Sequence, residues 1–199
     1  IYQTPVTVPS AANLSSGLIS WWKADGTAGD SQDGNTGTLQ NGVTFGQGQI
    51  GQAFQFDGIN DYVNIPDSAT LDSATTAMSA STWIKPEIPV DADGGFIFSR
   101  RDPSLSEGFS VSLAQDGSIQ LTVRTSTSPT ISGSIFRSAA GVVTFGQFQH
   151  IAAAVDTGTG AAQMWIDGRA VALTTVFGPS TLSGTLTNVN QHYIGRRQD

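Results

Sequence analysis

Turn-forming residues interrupt this chain too often for helices to form. Runs of apolar, β-branched and aromatic residues, each about four to eight long, are broken by Gly, Asn, Asp, Pro or Ser. Strands are predicted over 42–45, 53–56, 62–65, 77–86, 95–100, 109–113, 119–124, 131–136, 149–156, 161–166, 169–173 and 191–195, with another over 18–23. Several alternate at period two, as in Ala53-Phe54-Gln55-Phe56 and Gln163-Met164-Trp165-Ile166. Asp116-Gly117 and Asp167-Gly168 read as two-residue hairpin turns. No segment carries a helical period and no repeat recurs at fixed spacing, which excludes bundles, propellers and solenoids. A dozen strands without intervening helices predict an all-β, two-layered antiparallel fold.

Composition narrows the partners. The 199 residues suit one large domain, and 38% hydrophobic with 9% aromatic residues can fill a core. A formal charge of -7 and a pI near 4.5 argue against nucleic acid and anionic membrane surfaces. No apolar run approaches the roughly 18–20 residues of a membrane span, so no membrane insertion is expected. Cys is absent, so neither disulfides nor thiolate chemistry is available. Of the 16 acids only Glu87 and Glu107 are Glu; the rest are Asp, mostly beside Gly, Asn or Ser. Such a set favours turns and oxygen-ligand metal sites. The chain begins at Ile1 rather than Met, and a removed signal peptide with a secreted or cell-surface location is expected.

Six segments in order carry a resemblance. Gly17-Leu18-Ile19-Ser20-Trp21-Trp22 precedes a loop dense in Asp, Gly and Asn; Gly51-Gln52-Ala53-Phe54-Gln55-Phe56-Asp57-Gly58-Ile59-Asn60-Asp61-Tyr62-Val63 follows. Then come Ser81-Thr82-Trp83-Ile84-Lys85-Pro86, Gln149-His150-Ile151-Ala152-Ala153, Trp165-Ile166-Asp167-Gly168 and Tyr193-Ile194-Gly195. Together they resemble the laminin-G-like jelly-roll domains of the concanavalin-A-like lectin/glucanase superfamily, from about Gly17 onward. The resemblance implies a two-sheet antiparallel jelly-roll sandwich over 17–199, with Leu18, Phe54, Phe56, Val63, Trp83, Ile84, Phe98, Ile151, Trp165 and Ile194 facing inward. The same architecture carries lectins, adhesion modules, enzyme accessory domains and some glycosidases.

Three kinds of site are candidates. Asp25, Asp30, Asp33 and Asn35 share one loop, and Asp57, Asn60 and Asp61 another. The family often holds a divalent ion at the sandwich rim, which implies calcium on Asp25, Asp30, Asn35, Asp57 and Asp61; turn formation is the competing explanation. Sugars stack on aromatic faces and are held by polar side chains. Trp22, Tyr62, Arg100, Arg101, His192 and Tyr193 are the outward candidates for a carbohydrate or glycoprotein partner. A retaining glycosidase needs two carboxylates roughly 5 Å apart. Glu87 lies beside prolines and Glu107 in Ser-Glu-Gly, neither with a partner at strand spacing, so no enzyme is expected. His150 and His192 do not form a metal-hydrolase spacing.

Residues 1–16 read as an extended leader or linker, with Tyr2, Thr4, Val6 and Val8 at period two between prolines suited to an edge strand. The resembled family closes with an Asp-Glu-Val-like strand that has no counterpart before Asp199. The leader is therefore a candidate to cover the open edge, in its own subunit or a neighbour's. The reading is a non-catalytic extracellular recognition module; the alternative is a structural subunit or adhesin module that self-associates through this segment.

Overall fold

A computed structural model describes residues 16–87, 95–101, 108–127, 130–186 and 190–195. The leader, Glu107 and the residues after Gly195 lie outside these, and with them the expectations of a donor strand and an uncovered edge.

The strands are β1 (Thr38–Gln40), β2 (Thr44–Gln47), β3 (Gln52–Gln55), β4 (Tyr62–Ile65), β5 (Ala77–Ile84), β6 (Gly95–Arg101) and β7 (Gly108–Leu113). They continue as β8 (Ile119–Thr127), β9 (Thr130–Arg137), β10 (Gln149–Asp156), β11 (Ala161–Ile166), β12 (Arg169–Val171), β13 (Thr174–Phe177) and β14 (His192–Ile194). A short 3-10 turn spans Leu71–Ser73.

The large sheet has eight strands in the order β1-β4-β14-β6-β7-β8-β9-β13. The small one has four, β12-β11-β10-β5, and β2-β3 form a separate hairpin. Every pairing is antiparallel. This is the all-β sandwich that the strand spacing predicts. The late strand β14 slots between β4 and β6, so the centre of the large sheet closes only when distant segments meet.

Alternation builds the core. On β7 and β8, Phe109, Val111, Leu113, Ile119, Leu121 and Val123 point inward, all at most 3% exposed. They meet Ile151, Ala153, Val155, Met164 and Ile166 of the small sheet. A second cluster joins Val43, Val63, Ile65 and Leu71 to half-buried Trp22, Phe54, Phe56 and Ile194. The β11–β12 hairpin turns on Asp167 and Gly168, both at positive φ (50° and 76°). This is the left-handed pair that a two-residue turn needs to match strand twist.

Three expectations are corrected. Residues 18–23 do not form a strand. Trp22 makes one isolated bridge to Asp30, while the Trp21 N–H donates to the Asp30 carboxylate at 2.7 Å, so a side chain replaces a ladder. Trp83 is not core: Met78, Ala80 and Ile84 take the inward positions of β5, which leaves Trp83 43% exposed. It meets His150 edge-on at 5.3 Å. Trp165, between buried Met164 and Ile166, likewise faces away from the core and is half-buried. The short edge strands β1 and β13, rich in Thr, carry too little apolar alternation to be found by pattern.

Leu121 is fully buried between the sheets. Leu121→Ala is expected to cost about 2–5 kcal/mol in urea unfolding, whereas Thr174→Ala on the exposed edge strand should stay within about 0.5 kcal/mol.

Candidate functional site

The same alternation that buries one face of the large sheet orders the other. Ser110 lies between inward Phe109 and Val111, Thr122 between Leu121 and Val123. Register then aligns one outward row across six strands: Asn64, Tyr193, Ser99, Ser110, Thr122 and Ile135. A second row, two residues along, runs Arg101, Gly108, Arg124, Gly133. Although it faces away from the core, the middle of this face is recessed: Ser99, Ser110 and Thr122 are 3%, 1% and 4% exposed.

Arg124 is flanked on both neighbouring strands by glycine, Gly108 on β7 and Gly133 on β9. A Cβ at Gly133 would come within 2.9 Å of Arg124 Cγ, so its absence leaves room for the arginine stem to lie across the sheet. At the β4–β14 end, Tyr62 and Tyr193 pack edge-on, 5.8 Å between ring centroids.

Three polar atoms on this face are buried without a hydrogen-bond partner among the described residues: Asn64 Oδ1, Ser110 Oγ and Arg124 Nε. Buried polar atoms are nearly always paired, and an unpaired one costs roughly 1–3 kcal/mol. Three on a single recessed face, two acceptors (one also a donor) and one N–H donor, match a ligand rich in hydroxyl groups. The eight strands of this sheet contain no Asp or Glu.

The outward candidates separate. Tyr62 and Tyr193 lie together on the recessed face, and Arg101 occupies a register position on it. Trp22 does not: its ring packs on the second core cluster and its Nε1–H donates to the Asn35 carbonyl at 2.7 Å, leaving Trp21 54% exposed. Arg100 and His192 are buried on the inward face, 1% and 2% exposed. The Arg100 guanidinium pairs with Asp72, has Asp67 at 3.7 Å and donates to the Leu71 carbonyl at 3.3 Å. His192 lies against the Phe98 ring at 5.8 Å. Burial first, then the positive charge of Arg100, lowers its pKa to about 3.

The proposed metal ligands accept hydrogen bonds from backbone N–H groups or polar side chains. Burial would raise the Asp30 carboxyl, but the N–H groups of Trp21, Gln32, Asn35 and Asp33 outweigh it and hold it below its usual range. Asp25 accepts from Gln52 N–H at 2.8 Å, and Asp57 from Ile59 N–H at 2.8 Å. Asn35 Oδ1 accepts the Ser68 hydroxyl at 2.6 Å. Among the described residues no three His, Asp or Glu side chains converge. Asp61 is the exception in detail: one oxygen accepts the Asp57 N–H at 3.0 Å, while Oδ1 is buried without a partner. Glu87 pairs with Lys85 at 3.1 Å on the surface, away from the recessed face.

Ser99, Ser110, Thr122 and Arg124 escaped the sequence reading. Alternation in Phe109–Leu113 and 119–124 marks the last three as outward, but nothing local says that they share a row with Ser99 and the distant Tyr193.

An antiparallel sandwich with a recessed polar face has the architecture of lectin-like binding domains. Residues 57–199 match the family model of the concanavalin A-like lectin/glucanases superfamily, Laminin_G_3, and the chain belongs to that family. Domain 4 of AbnA, an extracellular arabinanase from Geobacillus stearothermophilus solved with arabinotriose, aligns over 87% of this chain and 89% of its own, with TM-score 0.54 and 23% identity. Laminin α1 domains LG4-5 from mouse align over 79% of this chain and 37% of theirs, with TM-score 0.49 and 14% identity. The carbohydrate-binding module CBM66 from Bacillus subtilis aligns over 80% and 88%, with TM-score 0.45 and 12% identity. No curated protein matches the chain in sequence.

His192 makes stability pH-dependent. The unfolded chain takes up a proton near 6.5 and the folded chain only near 3. The folded state therefore binds fewer protons in that window, and stability present above 6.5 is lost as pH falls. Urea unfolding should show wild type losing stability relative to His192→Phe as pH falls below 6.5, at a rate approaching about 1.4 kcal/mol per pH unit between pH 5.5 and pH 4; parallel curves would show that His192 does not carry the effect.

Proposed function

We propose that the chain is a non-catalytic, extracellular carbohydrate-recognition module that holds its ligand on the outward face of the large sheet. The observation carrying this reading is the set of buried polar atoms along this face, on Asn64, Ser110 and Arg124, that have no partner among the described residues, with Ser99 and Thr122 between them. The edge of Tyr62–Tyr193 supplies the aromatic surface on which a sugar ring can stack. Support for a binding rather than a hydrolytic role comes from the eight strands, which bear no carboxylate to act as acid, base or nucleophile. The Geobacillus domain, solved with arabinotriose, supports a saccharide as the ligand class.

Calcium enters as a structural ion near Asp61, whose buried Oδ1 offers one unengaged anionic oxygen. Hard oxygen ligands suit it, and carbonyls of the surrounding loops would supply the rest. Chelator should lower the melting temperature of wild type and leave Asp61→Asn unmoved; an unchanged wild-type curve with no copurifying ion would remove calcium from the reading.

Binding is tested by screening a glycan array and titrating the best hit calorimetrically. Ser110→Leu, which puts a larger side chain at a buried position of the recess, should weaken binding at least about tenfold, the loss of one or two well-made hydrogen bonds, with a melting curve that stays cooperative and drops by no more than an overpacking cost of about 1–3 kcal/mol. Binding of equal strength by Ser110→Leu would place the ligand elsewhere.

A further inference from the structure

The large sheet is the basic part of an acidic protein. Its eight strands carry Arg100, Arg101, Arg124 and Arg137 and no acid, in a chain of net charge -7. Two of these cations have partners from the turns and loops. Arg100 pairs with Asp72 on the core side, and Arg137 with Asp116 at 3.1 Å at the sheet's end. Arg124 has no carboxylate partner among the described residues. It is half-buried, its Nε is out of solvent without a hydrogen-bond partner among the described residues, and it has glycine beside it on both flanking strands, Gly133 leaving room for its stem. A partly desolvated guanidinium without a counter-ion is costly, and Asp side chains from turns and loops neutralise Arg100 and Arg137. The chemistry around Arg124 suits an oxyanion: a planar, permanently charged N–H donor with hydroxyl groups one row away on Ser110 and Thr122.

We propose that the saccharide bound on this face is acidic and that Arg124 holds its carboxylate, the hydroxyls of the same or the next sugar falling on Ser110 and Thr122. This rests on the recessed face being the binding site. Specificity follows from the same geometry: a neutral sugar would leave the guanidinium without its counter-ion, while an acidic one gains a charge-assisted hydrogen bond in a site shielded from water.

The test uses the full chain and an array carrying neutral, uronate-bearing and sulfated oligosaccharides, with the best hit titrated beside its carboxyl-reduced form. Binding should concentrate on carboxylate-bearing glycans and fall about tenfold to a hundredfold on carboxyl reduction. Arg124→Gln should lose the same factor for the acidic ligand and nothing for the reduced one. Arg124→Lys, which keeps the charge but not the planar fork, should fall between. Affinity should also drop with added salt. Neutral glycans bound equally by wild type and Arg124→Gln, but blocked by Ser110→Leu, would overturn the acidic ligand and leave the site standing. Preference for sulfated over carboxylated glycans would overturn the carboxylate. Loss of binding in neither Ser110→Leu nor Arg124→Gln would overturn the site itself.

Discussion

Everything at the recessed face depends on the packing of the large sheet against the small one. Phe109, Val111, Leu113, Ile119, Leu121 and Val123 are all but sealed from water against Ile151, Met164 and their neighbours. Slipping β7 or β8 by one residue would move that whole set to the outside. Each such side chain contributes about 1.5–3 kcal/mol of burial, so register is strongly held. Once the inward set is fixed, Ser110, Thr122 and Arg124 have no choice of face. The proposed binding surface is in this sense the reverse side of the core, and its precision derives from hydrophobic packing on the other side of the strands.

Charge is partitioned to the same end. Among the described residues the acids lie outside the large sheet, mostly in turns and loops, and Asp30, Asp57 and, at the end of β10, Asp156 accept backbone N–H donors and organise the chain locally. Such carboxylates are spent on structure. The Ile59 N–H, the first of several influences, holds Asp57 below the ordinary carboxylate range. The strands of the large sheet, free of acids, set arginines against this background. Where a turn can reach, as with Asp116 and Arg137, the pair is closed at the surface. Arg124 has no such carboxylate among the described residues and lies between two glycines.

Much of the fold was legible from pattern. Tyr62–Ile65, Gln149–Asp156 and Ala161–Ile166 occur at the predicted bounds because apolar alternation and flanking turn residues agree there. Pattern failed where a side chain took over a backbone role, as Asp30 does beside Trp21, and where large aromatics suggested core. Trp83 and Trp165 sit in alternating segments, but alternation names two faces without saying which is buried. Small Ala80 and thin-stemmed Met78 on the opposite face fill the space available between the sheets. The site was less legible. Of the six outward candidates, Tyr62 and Tyr193 lie together on the recessed face, while Trp22, Arg100 and His192 turned inward.

The sequence by itself determined the strands, the tight turns and the antiparallel two-layer class, because these follow from period-two burial and from the backbone freedom of Gly, Asn and Asp, all local properties. Only the tertiary structure decided which residues share a surface. The row Asn64, Tyr193, Ser99, Ser110, Thr122 draws on segments from residue 64 to residue 193, and it exists because β14 inserts between β4 and β6. Pairing over such separations is set by how the two sheets close over a common core, a free energy summed across the whole domain that no short stretch of sequence contains.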